Sequence, residues 1–173
     1  MHKFIEKILN PPSDGDYGFH ALEKGLSLLS PQKEKSGREV RQNLIGEIDR
    51  NRNYYNKMLG GAVEMDKIRD NLMAKDITRM DSWLIRWDHG PILTNTYKCI
   101  FVFFHADWQN FPPQTFLPTL LSSCGVSIMH QISLGHINGN HWILIIFNEH
   151  DIGKLPLPEL PPQWPWANSR QSA

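Results

Sequence analysis

The chain has 173 residues and a mass of 20.0 kDa, one domain's worth, with 40% hydrophobic residues for a core and 18 Lys+Arg set against 18 Asp+Glu. That balance argues against a nucleic-acid binder, which carries a basic excess, and the apolar fraction argues against wholesale disorder. Two cysteines make neither a disulfide framework nor a four-thiolate zinc site, and no apolar run approaches the ~18 residues of a membrane span.

The N-terminus, MHKFIEKILNPP, places charges inside its apolar stretch and has no small-residue cleavage site. It does not read as a signal peptide, so an intracellular location, cytoplasmic or nuclear, is expected. Residues 2–9 are predicted to form a short helix that ends before Pro11 and Pro12. Residues 13–18, SDGDYG, are turn formers apart from the tyrosine. A helix follows from about Tyr17 to Leu29, with Leu22, Leu26 and Leu29 at helical spacing, stopped by Pro31. A long helix is predicted over 38–59, with Val40, Leu44, Ile48 and Tyr55 on one stripe and Gly60-Gly61 ending it. A further amphipathic stretch covers 63–75. Trp83, Leu84 and Trp87 cluster next, and Pro91 is placed as the first residue of a short helix, 91–97.

The texture then changes. Residues 1–90 hold 29 of the 36 charged side chains, whereas residues 91–173 hold nine of the twelve prolines and the β-branched and aromatic runs. Strands are predicted at 98–104, 114–118, 126–134 and 141–147. The Asn-Gly pair inside GHINGN marks a tight hairpin before the last of these. The chain therefore reads as one α+β domain, helices first and sheet second, over 1–153. A Pro/Trp-rich tail at 154–173, with five prolines between 156 and 165, reads as polyproline-like. Trp164 and Trp166 suit either an exposed peptide ligand or a fold-back onto the domain.

Two segments have the parts of a cysteine hydrolase. SDGDYGFHAL is a tight turn feeding a helix N-terminus, where dipole and N–H groups activate a thiol and hold an oxyanion. NGNHWILI brings a histidine, His141, to the start of a buried strand, and Asp14 is a carboxylate able to orient it. These segments resemble the OTU (ovarian tumour) family of cysteine deubiquitinases, in the papain-like superfamily. The match runs through Asp14-Gly15-Asp16-Tyr17-Gly18-Phe19-His20-Ala21-Leu22 and Gly139-Asn140-His141-Trp142, with Trp83, the helix at 91–97 and the strand at 98–104 between them. It covers roughly 13–148. It implies a papain-like α+β fold, N-terminal helices on a small central sheet from the C-terminal half, and ubiquitin or another protein as partner. It implies a catalytic set of Asp14, position 17 and His141, with Gly15, Asp16, Gly18 and Trp142 forming the cleft and oxyanion site. It calls for no cofactor and no metal.

Tyr17 is the departure. The family has its nucleophilic cysteine there, and a phenol, with a reference pKa near 10 against about 8.5 for a thiol, does not replace it. Cys99 reads as a buried strand residue and Cys124 as a loop thiol away from the motif. Asp14 equally suits an Asx-turn or helix cap, and His141 a plain structural histidine. Position 143, where some members carry an acidic residue or Asn, is Ile. His130, His136 and His141 lack the spacing of a zinc site, and the Lys/Arg-rich stretch 33–57 reads as a solvated helix face. Two classes of function follow from the resemblance: a ubiquitin- or protein-binding pseudoenzyme, or a thiol-dependent deubiquitinating isopeptidase in which position 17 is natively cysteine. A degenerate, mobile-element-derived fragment is the third alternative.

Overall fold

The computed structural model describes residues 4–12, 14–30, 36–78, 80–107, 110–120 and 130–148. Cys124, the start of the strand expected at 126–134, and the Pro/Trp-rich tail lie outside them. The architecture is α+β. A strand, β1 (Ile5–Leu9), is followed by helices α1 (Tyr17–Leu29), α2 (Gly37–Arg50), α3 (Arg52–Met58) and α4 (Ala62–Met73). A 3-10 turn (Met80–Ser82) leads to α5 (Arg86–Tyr97), and then to β2 (Ile100–His105), β3 (Gln114–Phe116), β4 (Gln131–Ile137) and β5 (His141–Phe147). No helix among the described residues is long and apolar enough to cross a membrane.

The five strands form one mixed sheet in the order β1-β5-β4-β2-β3. β2 and β4 are parallel, and the other pairs antiparallel. Alternation along the strands divides the apolar residues between two faces. Phe101, Phe103, Ile132, Leu134, Trp142 and Leu144 belong to the main core with the helices, while Val102, Phe104, Ile143, Ile145 and Phe147 form a second cluster. α1 lies against β5 and β4. It approaches closely at Gly25, where a Cβ would sit 2.9 Å from Ile132.

Local chemistry sets most boundaries. Ser36 and Glu39 form a reciprocal capping box at the start of α2. Gly60 and Gly61, with φ of 94° and 105°, end α3 and reverse the chain. Asn138 and Gly139, with φ of 53° and 74°, make the tight β4–β5 turn.

Three elements differ from the sequence reading. Residues 5–9 are a strand rather than a helix, because pairing with the free edge of β5 satisfies their backbone groups and buries part of their apolar surface, which an eight-residue helix does not achieve. The sheet therefore draws one strand from the N-terminus. The helix expected over 38–59 breaks at Asn51. Its side chain bonds the Glu47 carboxylate, its N–H is shared between the Glu47 and Ile48 carbonyls, and the bend buries Tyr55. Pro91 lies inside a helix that starts at Arg86 instead of opening one at 91. His89 supports the earlier start, because its Nδ1 accepts the Ile85 N–H at 2.9 Å.

Candidate active site

The turn before α1 is built by two aspartates pointing in different directions. Asp14 Oδ1 accepts the Asp16 N–H at 3.0 Å, an Asx-turn. Gly15 follows with φ of 93°, and a Cβ there would lie 2.9 Å from the Ile77 carbonyl oxygen, so only glycine fits. Asp16 turns inward. Its buried carboxylate meets Arg41 Nη2 at 2.5 Å, the same nitrogen donates to the Ser82 carbonyl at 2.8 Å, and the guanidinium lies 3.8 Å from the Phe19 ring centroid. One arginine thus ties the start of α1 to α2 and to the segment carrying Trp83.

This geometry gives both aspartates side-chain partners other than His141. Asp14, expected to orient His141, is bonded instead to His20: Nε2 donates to Asp14 Oδ2 at 3.0 Å, while Nδ1 faces Glu23 at 3.4 Å. The Asp16 N–H holds the Asp14 carboxyl below its usual range, against some burial, and His20 adds to the effect. Burial opposes charge on His20, but the two carboxylates outweigh it and raise its pKa. The side chain of Asp16, a residue expected at the cleft, is an interior anchor. Its short, buried bond to Arg41 turns the carboxylate away from position 17.

His141 is held from a different place. Its Nε2 donates to Asn10 Oδ1 at 2.6 Å. An amide oxygen only accepts, so the ring proton is on Nε2 and the lone pair on Nδ1. Asn10 escaped the sequence reading because it falls at the end of a strand read as helix. The usable signal was a polar residue wedged between an apolar run and Pro11-Pro12.

Tyr17 opens α1 and is only 6% exposed. Its ring centroid is 4.8 Å from that of His141 and 5.5 Å from that of Trp83. Its hydroxyl is buried with no hydrogen-bond partner among the described residues, and burial raises its pKa. A phenol held in this way stays protonated at neutral pH and is a poor nucleophile. Gly18 is a packing point, since a Cβ there would lie 2.4 Å from Leu84 Cβ and 3.1 Å from Trp142. Trp142 is buried and donates from Nε1 to the Leu84 carbonyl at 3.1 Å. Cys99 is buried just before β2, with Sγ 3.2 Å from the Tyr97 carbonyl. Among the described residues no group of three or more His, Cys, Asp or Glu is placed to hold a metal ion.

Solved structures share this arrangement of chain. The viral OTU domain protease from Qalyub virus superposes with a TM-score of 0.57 at 13% identity, over 85% of this chain and 87% of its own. The Hazara virus OTU bound to ubiquitin gives 0.55 at 13%, over 85% and 84%. An OTU deubiquitinase from Wolbachia pipientis wMel gives 0.53 at 14%, over 86% and 94%. The fold is OTU-like. The sequence matches no protein-family model and no curated protein. At such identities the OTU-like likeness is one of fold, and what the site does rests on its own side chains.

Proposed function

We propose that this OTU-like domain is a catalytically silent, protein-binding pseudoenzyme whose partner is ubiquitin or a protein that presents a similar surface. The observation that carries the reading is the Tyr17 ring, buried at the helix start against His141 with a hydroxyl that has no hydrogen-bond partner among the described residues. The frame around it, with Gly15 at positive φ, α1 and the His141 strand, supports retention of a cleft without chemistry. The Hazara virus and Wolbachia OTU structures include complexes with ubiquitin, which makes ubiquitin the first partner to test.

The test is a titration of the isotope-labelled chain with ubiquitin, followed by amide chemical shifts. Saturable shifts at residues 14–22 and 138–143, with no adduct formed by an electrophilic ubiquitin probe, are the expected result. Silence in both segments defeats the ubiquitin assignment.

One observation favours a second reading. The Asn10–His141 bond fixes the ring with its lone pair on Nδ1, as a thiol-dependent isopeptidase requires. On that reading, Tyr17→Cys forms a covalent adduct with the ubiquitin probe, and Asn10→Ala in the same background slows it. A folded Tyr17→Cys protein that stays unreactive rejects the isopeptidase reading.

A further inference from the structure

Beside the Leu84–Trp142 contact lies a groove of about 340 Å³ at the end of the sheet. Strand register builds one wall. β2 pairs His105 with His136, and β5 pairs Trp142 with His136, so three rings stand in a row across three strands. The centroids are 5.5 Å apart for His105 and His136 and 4.6 Å for His136 and Trp142. Phe111 closes the row, 4.6 Å from His105. Arg86 and Trp87, from the first turn of α5, form the opposite wall.

The polar groups in this groove are of one kind. Arg86 is half-buried, its guanidinium 5.2 Å from the Trp87 ring centroid, and among the described residues no carboxylate pairs with it. His105 Nδ1 accepts the Asp107 N–H at 3.1 Å, which puts the ring proton on Nε2 as a donor. Asp107 spends its own carboxylate on Asn110. The His136 ring has no hydrogen bond among the described residues. Its charged neighbours are His105, Arg86 and His141, all potential cations. A partly desolvated guanidinium without a counter-charge, walled by aromatic rings, is complementary to an anion with an apolar body.

We infer that this groove docks an acidic segment of a protein partner, with a Glu or Asp carboxylate on Arg86 and an adjoining apolar side chain against Trp87 and Phe111. Charge count selects the occupant. Among the described residues lining the groove, Arg86 is the single permanent cation, which matches one carboxylate. Burial and its positive neighbours hold the His136 ring neutral at pH 7, so a phosphate dianion lacks the second charge it calls for. The inference requires nothing of Tyr17 and stands apart from the ubiquitin reading.

The test uses the full, isotope-labelled chain and two acetylated, amidated peptides, Gly-Phe-Glu-Phe-Gly and Gly-Phe-Gln-Phe-Gly. The indole N–H signals of Trp87 and Trp142 report binding. The expected result is saturable shifts at both indoles, with the Glu peptide binding about tenfold more tightly than the Gln peptide, the value of one charge-assisted hydrogen bond. Arg86→Gln removes the preference and Arg86→Lys keeps it. Equal affinities for the wild-type chain, absent indole shifts, or a preference that survives Arg86→Gln each overturn the inference. Displacement of the Glu peptide by equimolar inorganic phosphate also overturns it, and assigns the groove to a phosphate group.

Discussion

The Tyr17 and His141 rings meet at a centroid distance of 4.8 Å and a tilt of 45°, yet no hydrogen bond joins them. The tyrosine hydroxyl is thus desolvated without a partner among the described residues. A buried, unsatisfied hydroxyl costs about 1–3 kcal/mol, and phenylalanine keeps the ring that fills the space. Tyr17→Phe is therefore expected to stabilise the fold by about 1 kcal/mol, or raise Tm by about 2–4 °C. Urea and thermal unfolding measure this. A loss of stability shows that the hydroxyl has a bonded role.

The Asp16–Arg41 pair predicts the opposite behaviour. Both side chains are under a tenth exposed, and among the described residues Arg41 Nε and Nη1 find no hydrogen-bond partner of their own. The pair is held by one short bond, the Ser82 carbonyl and the face of Phe19. Removing one charge strands the other, at a cost of about 3–5 kcal/mol. Asp16→Asn and Arg41→Met are each expected to destabilise by that order, and the double variant by clearly less than their sum. Additive losses in a double-mutant cycle count against a coupled pair.

The division between helices and sheet was legible in the sequence because charge and β-branched residues segregate along the chain. The extent of α1, the Gly60-Gly61 stop and the Asn138-Gly139 turn were legible because each depends on local chemistry. β1 was not, since its conformation is decided by a partner strand more than 130 residues away, Ile5 facing Phe147. The candidate site divides in the same way. Tyr17 and His141 are marked by their motifs and come together in space. Asn10 and Arg41 reach the site only through tertiary packing; Asn10 is hinted at by its place between an apolar run and Pro11-Pro12, whereas nothing in the immediate neighbours of Arg41 announces it. Asp14 was read as the orienting acid and Asp16 as part of the cleft, because their two-residue spacing does not reveal that one side chain faces His20 and the other Arg41 in the interior.

Gly18 predicts how tightly α1 is seated on the segment leading to α5. A methyl group at this position would lie 2.4 Å from Leu84 Cβ, which is itself backbone-anchored and not the movable end of a side chain. Gly18→Ala gains helix propensity but forces Leu84 and Trp142 apart. A net destabilisation of about 1–3 kcal/mol is expected, with a change in Trp142 fluorescence as its Nε1 bond to Leu84 is strained. An unchanged midpoint and spectrum means the helix shifts freely at this point.

His89 sets a pH dependence. The ring is buried, its Nδ1 accepts the Ile85 N–H, and burial together with the Arg41 charge pushes its pKa down to about 3. In the unfolded chain a histidine titrates near 6.5. Between those values the unfolded state holds a proton that the native state refuses, so stability is full above pH 6.5 and falls as pH is lowered. The limiting slope for one such group is about 1.4 kcal/mol per pH unit. His136, whose pKa is also lowered, acts in the same direction, while the raised pKa of His20 opposes it weakly from a partly exposed ring. The carboxylates with lowered pKa, Asp14 and Asp49, contribute only below about pH 4. Asp88, whose carboxyl pKa is raised by burial, takes up a proton in the native state and opposes the trend, so the difference between the parent chain and His89→Asn between pH 6.5 and 4.5 is what isolates His89. Unfolding free energies across that window are expected to fall with decreasing pH in the parent chain and to flatten in His89→Asn, which keeps an acceptor for the Ile85 N–H but does not titrate. An equal slope in both proteins removes His89 as the source.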